Sequence, residues 1–160
     1  MPAARLRLAL LLALSLPACG LFTGPDEDDR LAEARALWAA QGQENYTYEV
    51  RSDCFCGLAG RWIEITVIGN QVVSGRYLDT NSQVDAGLLP ALPTVGDLFA
   101  RIDDAVKSDA VLLQVEYHPG DGHPSRINVD VSYNIADEEY LLQSRNLMGL
   151  LTASGTTPPR

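Results

Sequence analysis

The side chains with the widest chemical reach in this chain are three cysteines and two histidines. Cys54 and Cys56 flank a single phenylalanine. His118 and His123 sit in one run, Tyr117-His118-Pro119-Gly120-Asp121-Gly122-His123-Pro124. Thiolates and imidazoles are the donors that zinc prefers. Were the two loops to lie at the same end of a sheet, Cys54, Cys56, His118 and His123 would make a zinc site, or serve a redox role. However, C-x-C with H-x4-H is not a specific metal spacing. A rigid turn alone also accounts for the second run, because Pro119 and Pro124 fix φ while Gly120 and Gly122 permit φ > 0.

Oxygen donors offer another chemistry. Asp121 with Asp137, Glu138 and Glu139 could gather a calcium ion, although the spacing fits no calcium loop. Tyr117, His118, Pro119, Asp121, Gly122, His123 and Pro124, with Asp137, Glu138 and Glu139, are therefore the candidate binding loop. No Ser-His-Asp order, HExxH, P-loop or dinucleotide fingerprint occurs. The sequence nominates no catalytic residue, no hydrolase nucleophile and no cofactor, and enzymatic activity is not expected.

These residues must be positioned by a body of limited size. The chain has 160 residues, enough for one domain with a real core. Its 12 basic and 21 acidic residues give a net charge of −9. Such a surface repels nucleic acid, and no basic tract interrupts it. Along the chain, Leu31, Ala34, Leu37 and Trp38 form one helical stripe, predicting a helix from about Asp28 to Gln41 with Gly42 as its stop. Residues 46–53, 62–68 and 71–78 alternate with period two, and Gly69-Asn70 signals a hairpin. A long loop, 79–93, follows. Thr94 with Asp97 caps a second helix whose apolar face is Val95, Leu98, Phe99, Ile102 and Val106. Strands are predicted at 110–117, 125–133 and 138–147.

This pattern predicts an α+β domain over residues 30–147: an antiparallel sheet of about six strands with two helices on one face, in the order α-β-β-β-α-β-β-β. The two halves share a rhythm that a tandem pseudo-repeat would produce. Residues 19–29 read as a tether, with Gly24-Pro25 breaking structure and the acids Asp26 to Asp29 solvated, although those acids also suit the start of the helix. Residues 148–160 read as a flexible tail.

The amino terminus supplies an address. Arg5 and Arg7 precede an apolar run, Leu8 to Leu16, that is well short of the ~20 residues a membrane span needs. Leu16-Pro17-Ala18-Cys19 ends it. This stretch resembles the lipobox of bacterial lipoproteins. The resemblance implies that residues 1–18 are a signal peptide and that Cys19 is acylated, anchoring the protein to a membrane. Several acyl chains, each gaining about 0.8 kcal/mol per buried CH₂, hold firmly where one would not. Gly20, rather than Asp, follows the cysteine, which by the same resemblance implies the outer membrane, facing the periplasm. The leader removes two basic residues, Arg5 and Arg7, so the remainder is more acidic still.

With Cys19 acylated, an even pair is left in an oxidising compartment, and Cys54–Cys56 is expected as a disulfide. In an extended strand their Cα atoms would be about 7 Å apart, at the limit for a bond, so a turn at Phe55 is required. Reduced thiols, metal ligation and redox work remain alternative uses of the pair.

Cys54-x-Cys56, Thr94-Val-Gly-Asp-Leu-Phe99, Tyr117-x-Pro119-x-x-Gly122-x-Pro124 and Asp137-Glu138-Glu139 occur in that order. Together they resemble an uncharacterised family of bacterial secreted proteins and lipoproteins, a domain of unknown function, across about residues 30–147. That resemblance implies placement and boundaries but no activity. The expected role is a membrane-anchored, non-enzymatic binding module for a protein or envelope component; the alternative is the metal or redox protein built on Cys54, Cys56, His118 and His123.

The lipid anchor is directly testable. Mass spectrometry of the mature protein should find an acylated amino-terminal Cys19, and Cys19→Ala should move the protein from the membrane to the soluble fraction.

Overall fold

The computed structural model of the protein describes residues 26–53, 58–134 and 139–150. Cys19, Cys54, Cys56, Asp137, Glu138 and residues 151–160 lie outside the described residues, as do the expected signal peptide and the first part of the expected tether.

The first helix, α1, spans Glu27–Gln41. Asp26 caps it by accepting the Asp29 N–H at 3.0 Å, and Glu27, Asp28 and Asp29 occupy its positive end. The acids expected in the tether therefore belong to the helix start. Gly42, at φ 60°, ends it in the left-handed conformation. Strands β1 (Tyr46–Asp53), β2 (Ile63–Ile68) and β3 (Gln71–Tyr77) form a meander. Gly69 and Asn70 both have positive φ, as a two-residue type I′ hairpin demands.

The loop that follows is not a free excursion. Val84 N–H donates to the Gly75 carbonyl, Tyr77 N–H donates to the Ser82 carbonyl, and a short 3-10 helix spans Ala86–Ala91. Val84 and Leu92 pack over Gly75 so closely that a Cβ there would come within 2.6 Å of Leu92 Cδ1. The loop thus covers the β3 edge, which would otherwise present unpaired backbone.

Helix α2 spans Val95–Lys107, with both halves of the Thr94/Asp97 capping box present. Strands β4 (Leu112–Tyr117), β5 (Pro124–Asp130) and β6 (Tyr140–Gly149) form a second meander. The result is one six-stranded antiparallel sheet in the order β3-β2-β1-β6-β5-β4. β1 and β4, which a doubled unit would equate, run in opposite directions, so the meanders are not shifted copies of each other. β6 continues to Gly149, and Leu150 N–H donates to the Asn45 carbonyl, so residues 148–150 are part of the fold rather than of a tail.

Register decides which side chains are buried. Tyr46, Tyr48 and Val50 oppose Val67, Ile65 and Ile63. Across the other ladders Leu142 opposes Ile127, and Ile127 opposes Val115. All nine are buried and join Leu31 and Ala34 of α1 and Val95, Leu98, Phe99, Ile102 and Ala105 of α2 in one core.

At its centre lie Tyr46 and Tyr48, two residues apart on the same strand face, with ring centroids 5.7 Å apart. Trp38 of α1 meets Tyr46 edge-on at 5.4 Å. The Tyr46 hydroxyl accepts the Val95 N–H at 2.9 Å, and the Tyr48 hydroxyl donates to the Pro93 carbonyl. Burial is the main cause that pushes the Tyr46 hydroxyl up to about 12, and it pushes Tyr48 well above its ordinary value. Both therefore remain neutral phenols over the whole physiological range.

Tyr46→Phe keeps the ring but strands the Val95 N–H. Urea unfolding should show a loss of about 1–3 kcal/mol with an unchanged m-value. A smaller loss would mean that another acceptor takes over the Val95 N–H.

Candidate functional site

The Tyr117–Pro124 run is the connection between β4 and β5. Its ends are tied by His118 N–H to the His123 carbonyl at 2.9 Å and Gly122 N–H to the His118 carbonyl at 2.8 Å. Pro124 opens β5, where its missing N–H removes nothing from the ladder interior. Its carbonyl accepts the Ser144 hydroxyl at 2.6 Å.

Asp121 holds the two histidines together. Its Oδ1 accepts the His123 backbone N–H at 3.1 Å and lies 2.6 Å from His123 Nδ1 and 3.0 Å from His118 Nδ1. The imidazoles stack at 5.0 Å with planes 20° apart. They differ in setting: the His123 side chain is 4% exposed and that of His118 is 51% exposed. Burial opposes ionisation of Asp121, but the His123 ring and backbone donors and the charges of His123 and His118 outweigh it, holding the carboxyl below its ordinary range. Burial also lowers His123, against the opposing pull of Asp121.

Glycine is required at the point where this turn meets α1. Gly122 has φ +78°, and a Cβ there would lie 2.2 Å from the Ala34 carbonyl oxygen and 2.9 Å from Leu37 Cβ. Tyr117 anchors the preceding strand to the same helix. Its hydroxyl donates to Glu27 at 2.7 Å, its ring stacks on Phe99 at 6.5 Å, and Arg30 lies over that ring. Burial first, then the Glu27 carboxylate, raises the Tyr117 hydroxyl. Arg30 in turn donates to the Val115 carbonyl at 2.7 Å. A cavity of about 130 Å³ opens between α1 and the turn, lined by Arg30, Glu33, Leu37, Tyr117, His118 and Pro119 among others.

The structure brings His118, Asp121 and His123 together but separates them from other candidates. Tyr140 opposes Val129, so the exposed Glu139 that precedes it lies at the far end of β5 from Pro124. The expected grouping of Asp121 with Glu139 is thereby corrected: an antiparallel ladder puts the start of β6 at the end of the sheet away from the turn. Asp53, which leads to Cys54, opposes Leu141 at that same far end.

The sheet's second face carries a different constellation. Arg76, Glu64, Glu49 and Arg145 oppose one another in turn across β3, β2, β1 and β6. Two carboxylates directly opposite would repel. Each is paired outward instead, Glu64 with Arg76 at 2.7 Å and Glu49 with Arg145 at 2.6 Å. Burial opposes ionisation of Glu49, but the Asn146 and Arg145 donors prevail and hold its carboxyl below the usual range. Arg145 also lies over the Trp62 ring at 3.9 Å. The alternation of polar residues along these strands was the only sequence signal for this row. The pairing of residues 49 and 145 spans 96 positions and has no local signature.

Neither the curated proteins nor the solved structures include a match to this chain. The model of a family described only as a family of unknown function, DUF6174, matches residues 30–149. The matched segment starts inside α1 and stops at the last residue of β6, so the turn and the charged row both fall within it.

Gly122→Ala adds a left-handed strain of about 1–3 kcal/mol to a collision with backbone. The variant should lose more than about 3 kcal/mol in denaturant unfolding, whereas Gly120→Ala, at a position without positive φ, should lose far less.

Proposed function

The chain belongs to that family of unknown function, and on this footing we propose a lipid-anchored binding protein of the bacterial cell envelope that does no catalysis. Acylated Cys19 holds it at the outer membrane, facing the periplasm, and Cys54 and Cys56 are joined as a disulfide. The two helices cover one face of the sheet. The other face, with its row of Arg76, Glu64, Glu49 and Arg145, meets a partner protein or envelope component.

The observation that carries this reading is the shape and chemistry of that second face. It is formed by six strands, about 24 Å across at the usual strand spacing. It carries fixed charges of both signs in a set order, which suits recognition by charge complementarity. Two cavities among the described residues are small. The one beside the turn, about 130 Å³, and one of about 280 Å³ lined by Arg101, Ala105, Ser108, Val129 and Tyr140, both fall below the roughly 300–1,000 Å³ of small-molecule sites. Neither of these two is sized for a metabolite, which supports a macromolecular partner there. The lipobox resemblance supports the address.

Photo-crosslinking residues placed at Thr66 or Asn128, on the second face, should give one discrete adduct in the native envelope. Ala36, exposed on α1, should give none. Glu49→Lys with Glu64→Lys should remove the adduct while circular dichroism stays unchanged. An adduct from Ala36 alone, or one indifferent to the charge reversal, would overturn this surface as the binding face.

A further inference from the structure

We propose that the β4–β5 turn is a binding site for one divalent transition-metal ion, held by His118, Asp121 and His123. The proposal concerns a different part of the molecule from the charged face, and its failure leaves that reading standing.

The first argument is convergence. One ligand atom from each of the three residues lies within 4.8 Å of the others, and both Nδ1 atoms already sit on the same carboxylate oxygen at 3.0 and 2.6 Å. Ligands on bonds of about 2.0–2.2 Å to one ion stand roughly 3–3.6 Å apart. The turn therefore needs only a small spreading of two rings about Asp121 to admit an ion.

The second argument is charge and donor type. Two imidazoles and a carboxylate suit zinc, nickel, copper or iron, and disfavour calcium and magnesium, which prefer all-oxygen shells. His118 Nδ1 also lies 3.3 Å from the Gly120 N–H, which it can accept only with its lone pair free. The same nitrogen stands 3.0 Å from the Asp121 oxygen, a contact that a proton bridges in the metal-free turn and that a metal ion can bridge in its place.

The third argument is rigidity. The turn is closed by its own backbone bonds, and Gly122 is locked against the Ala34 carbonyl. Ordering three ligands is costly when they come from a floppy loop; here most of that ordering is built in before binding. Three protein ligands leave at least one coordination position for water, and the exposed His118 ring faces the solvent from which an ion would arrive. This site uses neither Cys54 nor Cys56, in contrast to the four-residue zinc set that the sequence alone suggests.

The test uses the full chain in detergent micelles, stripped with chelator and titrated with Zn²⁺ and with Co²⁺. One ion per chain should bind, Co²⁺ should show the visible absorption of a low-coordinate nitrogen–oxygen site, and Zn²⁺ should displace it and raise the melting midpoint. His118→Gln removes an exposed ligand and should weaken binding at least about tenfold, with the metal-free melting midpoint unchanged. Asp121→Asn should weaken it similarly, and Cys54→Ser with Cys56→Ser should leave it intact. The proposal is overturned if no one-to-one binding occurs, if His118→Gln binds as well as the parent, or if the cysteine variant loses the ion.

Discussion

Two phenol groups on the central strand hold the domain together. Tyr46 and Tyr48 are both buried, and their hydroxyls grip the chain on either side of Thr94, one accepting from Val95 and the other donating to Pro93. This sets the angle at which α2 leaves the preceding loop. Aliphatic residues at both positions would still be buried but would take away the hydroxyl partners of the Val95 N–H and the Pro93 carbonyl. The Tyr46 ring also receives Trp38 from α1, so one short stretch of β1 contacts both helices.

The turn between β4 and β5 depends on this arrangement at one remove. It packs tightly on the backbone of α1 through Gly122, and the strand leading into it is tied to α1 through Tyr117 and Glu27. A helix displaced by even a methyl group's width would open the space that the turn fills. The histidines therefore owe their mutual geometry to Asp121, and their position in the molecule to a helix that Tyr117 reaches across 90 positions of sequence. The charged row on the second face has a simpler basis. Register across four strands puts two glutamates together, and the flanking arginines make that tolerable.

Much of this architecture was legible from local signals. Alternation gave β1, β2 and β5, the Gly69-Asn70 pair gave the hairpin, and Thr94 with Asp97 gave the start of α2. Each of these rests on contacts within a few residues. Asp26 to Asp29 were ambiguous because acids serve equally in a solvated tether and at the positive end of a helix; the Asp29 N–H on Asp26 and the Tyr117 hydroxyl on Glu27 separate the two. The loop after β3 read as an excursion, since its bonds to Gly75 and Tyr77 depend on tertiary packing. Within the site, proline and glycine spacing announced a rigid turn, and His118, Asp121 and His123 were visible as donors. Their separation from Glu139 and from the end of β1 was not, because strand order carries no local signature. The necessity of Gly122 was hidden for the same reason: the atom that forbids a side chain there is the carbonyl of Ala34.

The place of β6 has a consequence for how the chain can reach this state. β1 comes first in chain order among the sheet's six strands, yet one of its two neighbours is the sixth, with Tyr46 opposite Gly149. Contacts of such wide sequence separation slow folding, because the loop between them must close before they form. Until the final ten residues of the sheet are present, β1 and β5 each have a bare edge and the two meanders have nothing to join them. The sheet thus stays open through most of its own elongation, and its native topology is sealed only when β6 joins the two meanders.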